Sequence, residues 1–208
     1  MTAYRRLRRA GASYFFTVAL ADRKSDALIV DIAALRFAVA RTLEERPVWI
    51  DATVILPDHL HAVWTLPEGD ADFSTRWRLI KSRFGRATGR TGAMRSSLRS
   101  KQERGLWQRR FWEHCLRDDR DFETHIRYCW GNPVKHGLVA FPADWPYSSI
   151  HRDIRHGRVD QEWCDTANEG PFGEPLDEWF SRTSVNQWDL TKDGCEHPSY
   201  GCKSLTLG

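Results

Sequence analysis

No apolar run in the 208-residue chain approaches the roughly 20 residues that a membrane-spanning helix needs. Its five cysteines (Cys115, Cys129, Cys164, Cys195 and Cys202) are odd in number and form no C-x-x-C pair, which argues against a disulfide framework. Cys195, His197 and Cys202 lie close together but lack the usual ligand spacing of structural zinc. No glycine-rich loop of the phosphate-cradling kind occurs, so nothing points to nucleotide-driven chemistry. The first ten residues carry charge but lead into no apolar stretch of the length a secretion signal requires, and a cytoplasmic protein is expected.

Acidic residues are nearly missing from one long block. Between Phe73 and Trp112 there are 12 Lys/Arg and one acid, Glu103. From Gly157 to Gly208 the balance reverses, with 4 Lys/Arg against 10 Asp/Glu. The formal net charge of +3 conceals this asymmetry. A basic block of such density points to a polyanion, and nucleic acid is the expected partner.

Hydrophobic periodicity divides the chain into elements. Residues 13–20 read as a strand, 26–45 as a helix stopped by Pro47, and 48–56 and 59–66 as a hairpin around Pro57-Asp58. Residues 73–88 form a helix with Trp77, Ile80, Phe84 and Ala87 as its apolar stripe, and 111–117 a fourth strand. Asp118-Asp119 cap a further helix that Asn132-Pro133 should end. The order β-α-β-β-α-β plus one helix predicts an α+β, ferredoxin-like split βαβ sandwich. Its antiparallel sheet has helices on one face, with Tyr128 on the added C-terminal helix. Residues 1–152 make the domain, and 153–208 an acidic, weakly ordered tail.

His59 and His61 stand two apart on the third strand. Side chains alternate across a strand, so both imidazoles share one face and can grip one metal ion. Tyr128 and Asn132, at i and i+4, share a face of the last helix. At 100° per residue, Asp121, His125, Tyr128 and Asn132 form a polar arc beside an apolar one of Phe122, Ile126, Cys129 and Trp130. A phenol with an ordinary pKa of about 10 is a weak nucleophile at neutral pH and needs help to lose its proton.

Further runs extend the pattern: Leu56-Pro-Asp-His-Leu-His61, Ser74-Thr-Arg-Trp-Arg-Leu-Ile-Lys-Ser-Arg-Phe84, Leu106-Trp-Gln-Arg-Arg-Phe-Trp-Glu-His114, Tyr128-Cys-Trp-Gly-Asn-Pro-Val-Lys-His-Gly-Leu-Val139 and Asp144-Trp-Pro-Tyr-Ser-Ser149. In this order they resemble the REP-associated tyrosine transposases, single-tyrosine members of the HUH endonuclease group. The resemblance runs from residue 4 to 152. It implies that His59, His61 and Asn132 hold a divalent metal, Mg²⁺ or Mn²⁺, and that Tyr128 attacks a DNA phosphate. The products would be a 5′-phosphotyrosine linkage and a free 3′-hydroxyl, so the protein would act as a single-strand DNA endonuclease and strand transferase. Cys129 and Trp130 depart from the isoleucine and histidine common in the family.

The same resemblance implies a DNA hairpin with a tetranucleotide at its foot as partner, and a nucleoid-associated protein. Arg5, Arg6, Arg8 and Arg9 are candidates for reading the tetranucleotide. Lys81, Arg83, Arg109 and Arg110 are candidates for phosphate contacts, and Trp107 for stacking on a base. His125, one turn before Tyr128, is a candidate to assist proton loss. One tyrosine per chain gives one cleavage at a time, so monomer and homodimer both stay open. Two other readings compete: a catalytically silent hairpin-binding protein, and an RNA-binding module. The latter would want aromatic residues where His59 and His61 fall.

Overall fold

β1 (Ser13–Ala19) is apolar on both faces, so the sheet around it must be covered on both. Tyr14, Phe16 and Val18 enter one core cluster, while Phe15 enters a second. A computed structural model describes residues 7–92 and 105–165. After β1 come α1 (Ala27–Val30), α2 (Ile32–Glu45), β2 (Trp49–Ile55), β3 (His59–Thr65) and α3 (Phe73–Thr88). Then follow β4 (Trp112–Cys115), α4 (Asp119–Lys135), a 3-10 turn at Pro142–Asp144, and α5 (Ile150–Arg155). The single helix expected over 26–45 is broken at Asp31, which caps both pieces.

The result is an α+β fold: a four-stranded sheet in the order β2-β3-β1-β4, every neighbour antiparallel. β3 is central, with His61 opposite Thr17 on one side and Val54 on the other. A bulge between Ile50 and Ala52 flips the alternation along β2. Ile50 therefore packs on the first cluster, and Ala52 and Val54 belong to the second.

α2 and α3 cover the first face. Phe73, Trp77, Ile80 and Phe84 supply the stripe of α3, and Trp77 stacks on Trp64 of β3 at 4.1 Å and 11°. α3 starts on Asp72, whose carboxylate accepts the Thr75 N–H, and ends on Gly89 at φ 67°. The second face is not left open. α4 lies across it, placing Tyr128 and Cys129 in the second cluster, so the expectation of helices on one face applies to α2 and α3 alone.

Arg76 is not on the solvent-facing basic side of α3. It is 1% exposed, doubly bonded to Asp70 and donating to the carbonyls of Arg46, Pro47 and Asp72. A buried guanidinium with every donor engaged ties α3 to the turn before β2. Arg76→Met should cost about 3–5 kcal/mol, because it strands three carbonyls and a carboxylate. Urea unfolding measures this, and a loss under about 1 kcal/mol would contradict it.

The outer edge of β2 is sealed rather than exposed. Ser148 bridges Val54, Trp145 Nε1 donates to the Ile55 carbonyl at 2.8 Å, and Arg152 donates to the carbonyls of Ile50 and Asp51. The boundary expected after residue 152 thus falls inside α5, whose Asp153 is buried and paired with Arg152 and Arg158. Residues 166–208, most of the expected tail, lie outside the described residues. Cys115 and Cys129 are free thiols, whereas Cys164 is disulfide-bonded.

Candidate active site

His59 and His61 lie on the sheet face that α4 covers, 1% and 0% exposed, with ring centroids 5.0 Å apart. Each ring is held by its Nδ1. That of His59 is 2.7 Å from Asp58 Oδ1, and that of His61 is 2.9 Å from Thr17 Oγ1. A carboxylate on Nδ1 fixes the tautomer with the lone pair on Nε2, the arrangement common to metal-ligating histidines. His59 Nε2 is buried without a hydrogen-bond partner. An imidazole nitrogen in that state wants a cation. Burial lowers the His59 pKa, outweighing the opposite pull of Asp58, so the ring is neutral, as a ligand must be. The residues present therefore fit a divalent metal.

α4 brings the tyrosine to the same place. Tyr128 is fully buried, its ring 5.2 Å from His61 and 5.7 Å from Phe15. The polar arc expected to stand apart from the core instead faces the sheet: His125, Tyr128 and Asn132 are all buried. The reason is that the sheet face opposite is itself partly polar, carrying His59, His61 and Thr17. Asn132 lies one turn beyond Tyr128 and one before His136, whose ring is 5.0 Å from His59. With Tyr128 beside His61 and His136 beside His59, Asn132 sits on the stretch of α4 that spans the two imidazoles.

That stretch is helical because α4 does not stop at Asn132-Pro133. Pro133 sits inside the helix, which continues to Lys135. Leu138 N–H bonds the Pro133 carbonyl at 2.9 Å, Gly137 N–H bonds Val134 at 2.9 Å, and Gly137 has φ 64°. These bonds and the left-handed glycine make a Schellman stop at Gly137. The extra turn sets Lys135 at i+7 from Tyr128. Its Nζ donates to Tyr128 Oη at 3.0 Å and lies 4.9 Å from the ring centre.

Known proteins resemble this chain closely. A REP-associated tyrosine transposase from Escherichia coli is 41% identical over 176 residues, covering 85% of this chain and 99% of that protein. The chain belongs to the REP-associated tyrosine transposases. A candidate transposase of the same family from Haemophilus influenzae is 42% identical over 164 residues, covering 78% and 93%. A solved structure of a REP-associated tyrosine transposase bound to a REP hairpin superposes with a TM-score of 0.76 at 41% identity, covering 85% and 99%. No family model matches the chain.

Within this transposase family member a second histidine group stands beyond Phe15. His114, Asp121 and His125 bring ligand atoms within 4.8 Å of one another, so they too could hold a metal. Their existing bonds favour a hydrogen-bond network instead. Asp121 accepts from His114 at 2.9 Å and from the backbone and guanidinium of Arg117 at 3.1 Å each, while His125 Nδ1 bonds the Asp121 carbonyl at 2.7 Å.

Burial pushes the Asp121 pKa up, but those hydrogen bonds outweigh it and bring the carboxyl to about 2. A carboxylate depressed in the fold stabilises above its unfolded pKa near 3.9, and that contribution disappears as pH falls through 2. Asp121→Asn should therefore lose about 2–3 kcal/mol at pH 7 and flatten the acid limb between pH 4 and 2. Denaturant titrations across that range test it; an unchanged acid limb would reject it.

The expected DNA contacts fall into two groups. Arg8, Arg9, Arg109 and Arg110 are exposed. The arm bearing Arg9 is tied to the sheet, since Tyr14 Oη accepts the Arg9 N–H at 2.6 Å. Lys81 donates to the Gln108 carbonyl and lies over the Trp107 and Phe111 rings, Arg83 bonds Thr42 and Glu45, and Trp107 packs edge-on to Phe84. Arg5 and Arg6 lie outside the described residues. Sequence reasoning passed over Asp58, Thr17, Lys135 and His136. Asp58 adjoins the histidine pair in sequence, and helical spacing past Pro133 pointed to Lys135; Thr17 needed the strand register.

Proposed function

We propose that this protein is a metal-dependent single-strand DNA endonuclease and strand transferase that binds REP-type hairpins and forms a 5′-phosphotyrosine intermediate. The observation that carries the reading is the convergence of His59 and His61 with Tyr128 and Asn132, from two separate elements, on one buried patch. The strand order, with a helix after β1 and another after β3, supports the ferredoxin-like description of the scaffold.

His59, His61 and Asn132 would hold Mg²⁺ or Mn²⁺, a set of two nitrogens and one oxygen that leaves positions for phosphate and water. When bound, the ion polarises the phosphate and offsets charge on its oxygens. Tyr128 Oη bonds to phosphorus as the bond from phosphorus to the 3′-oxygen breaks. The tyrosine proton leaves to solvent, and the departing 3′-oxygen takes a proton from solvent to become a hydroxyl. Lys135, 3.0 Å from Oη, stabilises the negative charge that develops there. The reverse step onto another 3′-hydroxyl gives strand transfer without an energy source. Arg8, Arg9, Arg109 and Arg110 are the proposed DNA contacts, and the active form is a monomer or homodimer.

The test is a labelled oligonucleotide carrying an imperfect hairpin, incubated with Mn²⁺, Mg²⁺ or EDTA and resolved on denaturing gels. A metal-dependent covalent adduct supports the reading. A hairpin that is bound, yet neither cut nor linked with either metal, would overturn it in favour of a silent binder.

A further inference from the structure

A small cleft of about 80 Å³ opens beside His59, walled by Arg23, Lys24, Asp26, Asp58 and His136 among others. Asp58 lines it with both oxygens engaged. Oδ1 is bonded to His59 Nδ1 at 2.7 Å, and Oδ2 is paired with Arg23 Nε at 3.0 Å. One carboxylate thus fixes an imidazole and a guanidinium in the same rigid unit. Each holds a buried polar atom without a hydrogen-bond partner: His59 Nε2, which suits a cation, and Arg23 Nη1, which suits an anion. A buried donor and a buried lone pair left unsatisfied on two residues that line one cleft are costly unless a ligand completes both. A metal-bound phosphate would complete both, with the imidazole nitrogen offered to the cation and the guanidinium to a non-bridging oxygen.

We infer that Arg23 binds a non-bridging oxygen of the scissile phosphate. This rests on the transesterification reading above. The cleft holds a phosphate group but not a nucleoside, so the contact carries no base specificity. Asp58 pairs with Arg23 through Nε without occupying Nη1, and Lys24 and Asp26 line the same cleft. Arg23 would thus stabilise charge on the phosphate in the transition state.

The test compares single-turnover adduct formation by the full chain and its Arg23→Gln variant on a hairpin substrate with Mn²⁺. Removing one such donor should slow the step about 100-fold or more, with Arg23→Lys between the two. Mn²⁺ affinity, read by electron paramagnetic resonance, should stay within about threefold, since His59 keeps its Asp58 partner. A neutral methylphosphonate at the scissile position should then shrink the difference between the two proteins to near unity. The same group one nucleotide away should leave it intact. Equal rates on the natural phosphate would overturn the inference. So would a defect of equal size on phosphate and methylphosphonate, which marks a structural role through Asp58. If the unaltered chain forms no adduct at all, the transesterification reading fails and takes this inference with it, a result separable from a failure at Arg23 alone.

Discussion

Tyr128→Phe is expected to eliminate the covalent protein–DNA adduct while leaving the hairpin bound. The change removes one oxygen from a fully buried side chain. Packing against Phe15 and His61, at 5.7 and 5.2 Å, is kept, because both contacts are made by the ring. The change gives up the bond from Lys135, worth about 1 kcal/mol, so the variant should fold and melt within a few degrees of the unaltered protein. Chemistry has no such reserve. Tyr128 is the tyrosine whose ring lies against His61, so adduct formation should fall at least about ten-thousandfold. Hairpin affinity, measured by fluorescence anisotropy in EDTA, should change less than about threefold. An adduct persisting in Tyr128→Phe would place the nucleophile elsewhere and sink the assignment. Because the ring is enclosed by α4 and the sheet, binding of the DNA must also open a path to it. The unaltered protein should therefore exchange α4 amide hydrogens faster with hairpin and metal than alone.

The parts of this arrangement that the sequence displays are those governed by a single element. Alternation on β3 placed His59 and His61 on one face, and helical spacing placed Tyr128 and Asn132 together. What it hid needed two elements at once. The polar arc of α4 looked like a side separate from the core because the core-facing side of a helix is normally its apolar one. Here they face other polar residues across a sheet, and no pattern within α4 reports what lies opposite. Asn132-Pro133 read as a stop because proline breaks helices, yet near the last turn it removes little, and Gly137 was the true terminator. Arg76 resembled its neighbours on a basic helix until Asp70 and three carbonyls were folded around it. Charge density alone could not separate a guanidinium that builds the scaffold from one that waits for DNA.

His59→Ala and His61→Ala are expected to remove metal-dependent cleavage, each by about a thousandfold or more, with no rescue at saturating Mn²⁺. Each variant deletes the nitrogen and leaves its former partner, Asp58 or Thr17, facing a void, so stability should also drop by about 1–3 kcal/mol. Activity must then be read well below the melting transition. Asp58→Asn provides the graded control. It leaves Nε2 of His59 in place but weakens the anchor on Nδ1 at 2.7 Å, and loss of such a supporting group typically costs 10–100-fold, about one to two orders of magnitude. The ordering His59→Ala far below Asp58→Asn, itself below the unaltered protein, distinguishes a ligand from a packing residue. Mn²⁺ titration separates the two histidine groups. If the ion sits between His59 and His61, Asp121→Asn keeps its affinity and His59→Ala abolishes it. The opposite pattern would move the metal to His114, Asp121 and His125, across Phe15 from the tyrosine, where a bound ion could brace the start of α4 but would act on no phosphate held beside His59.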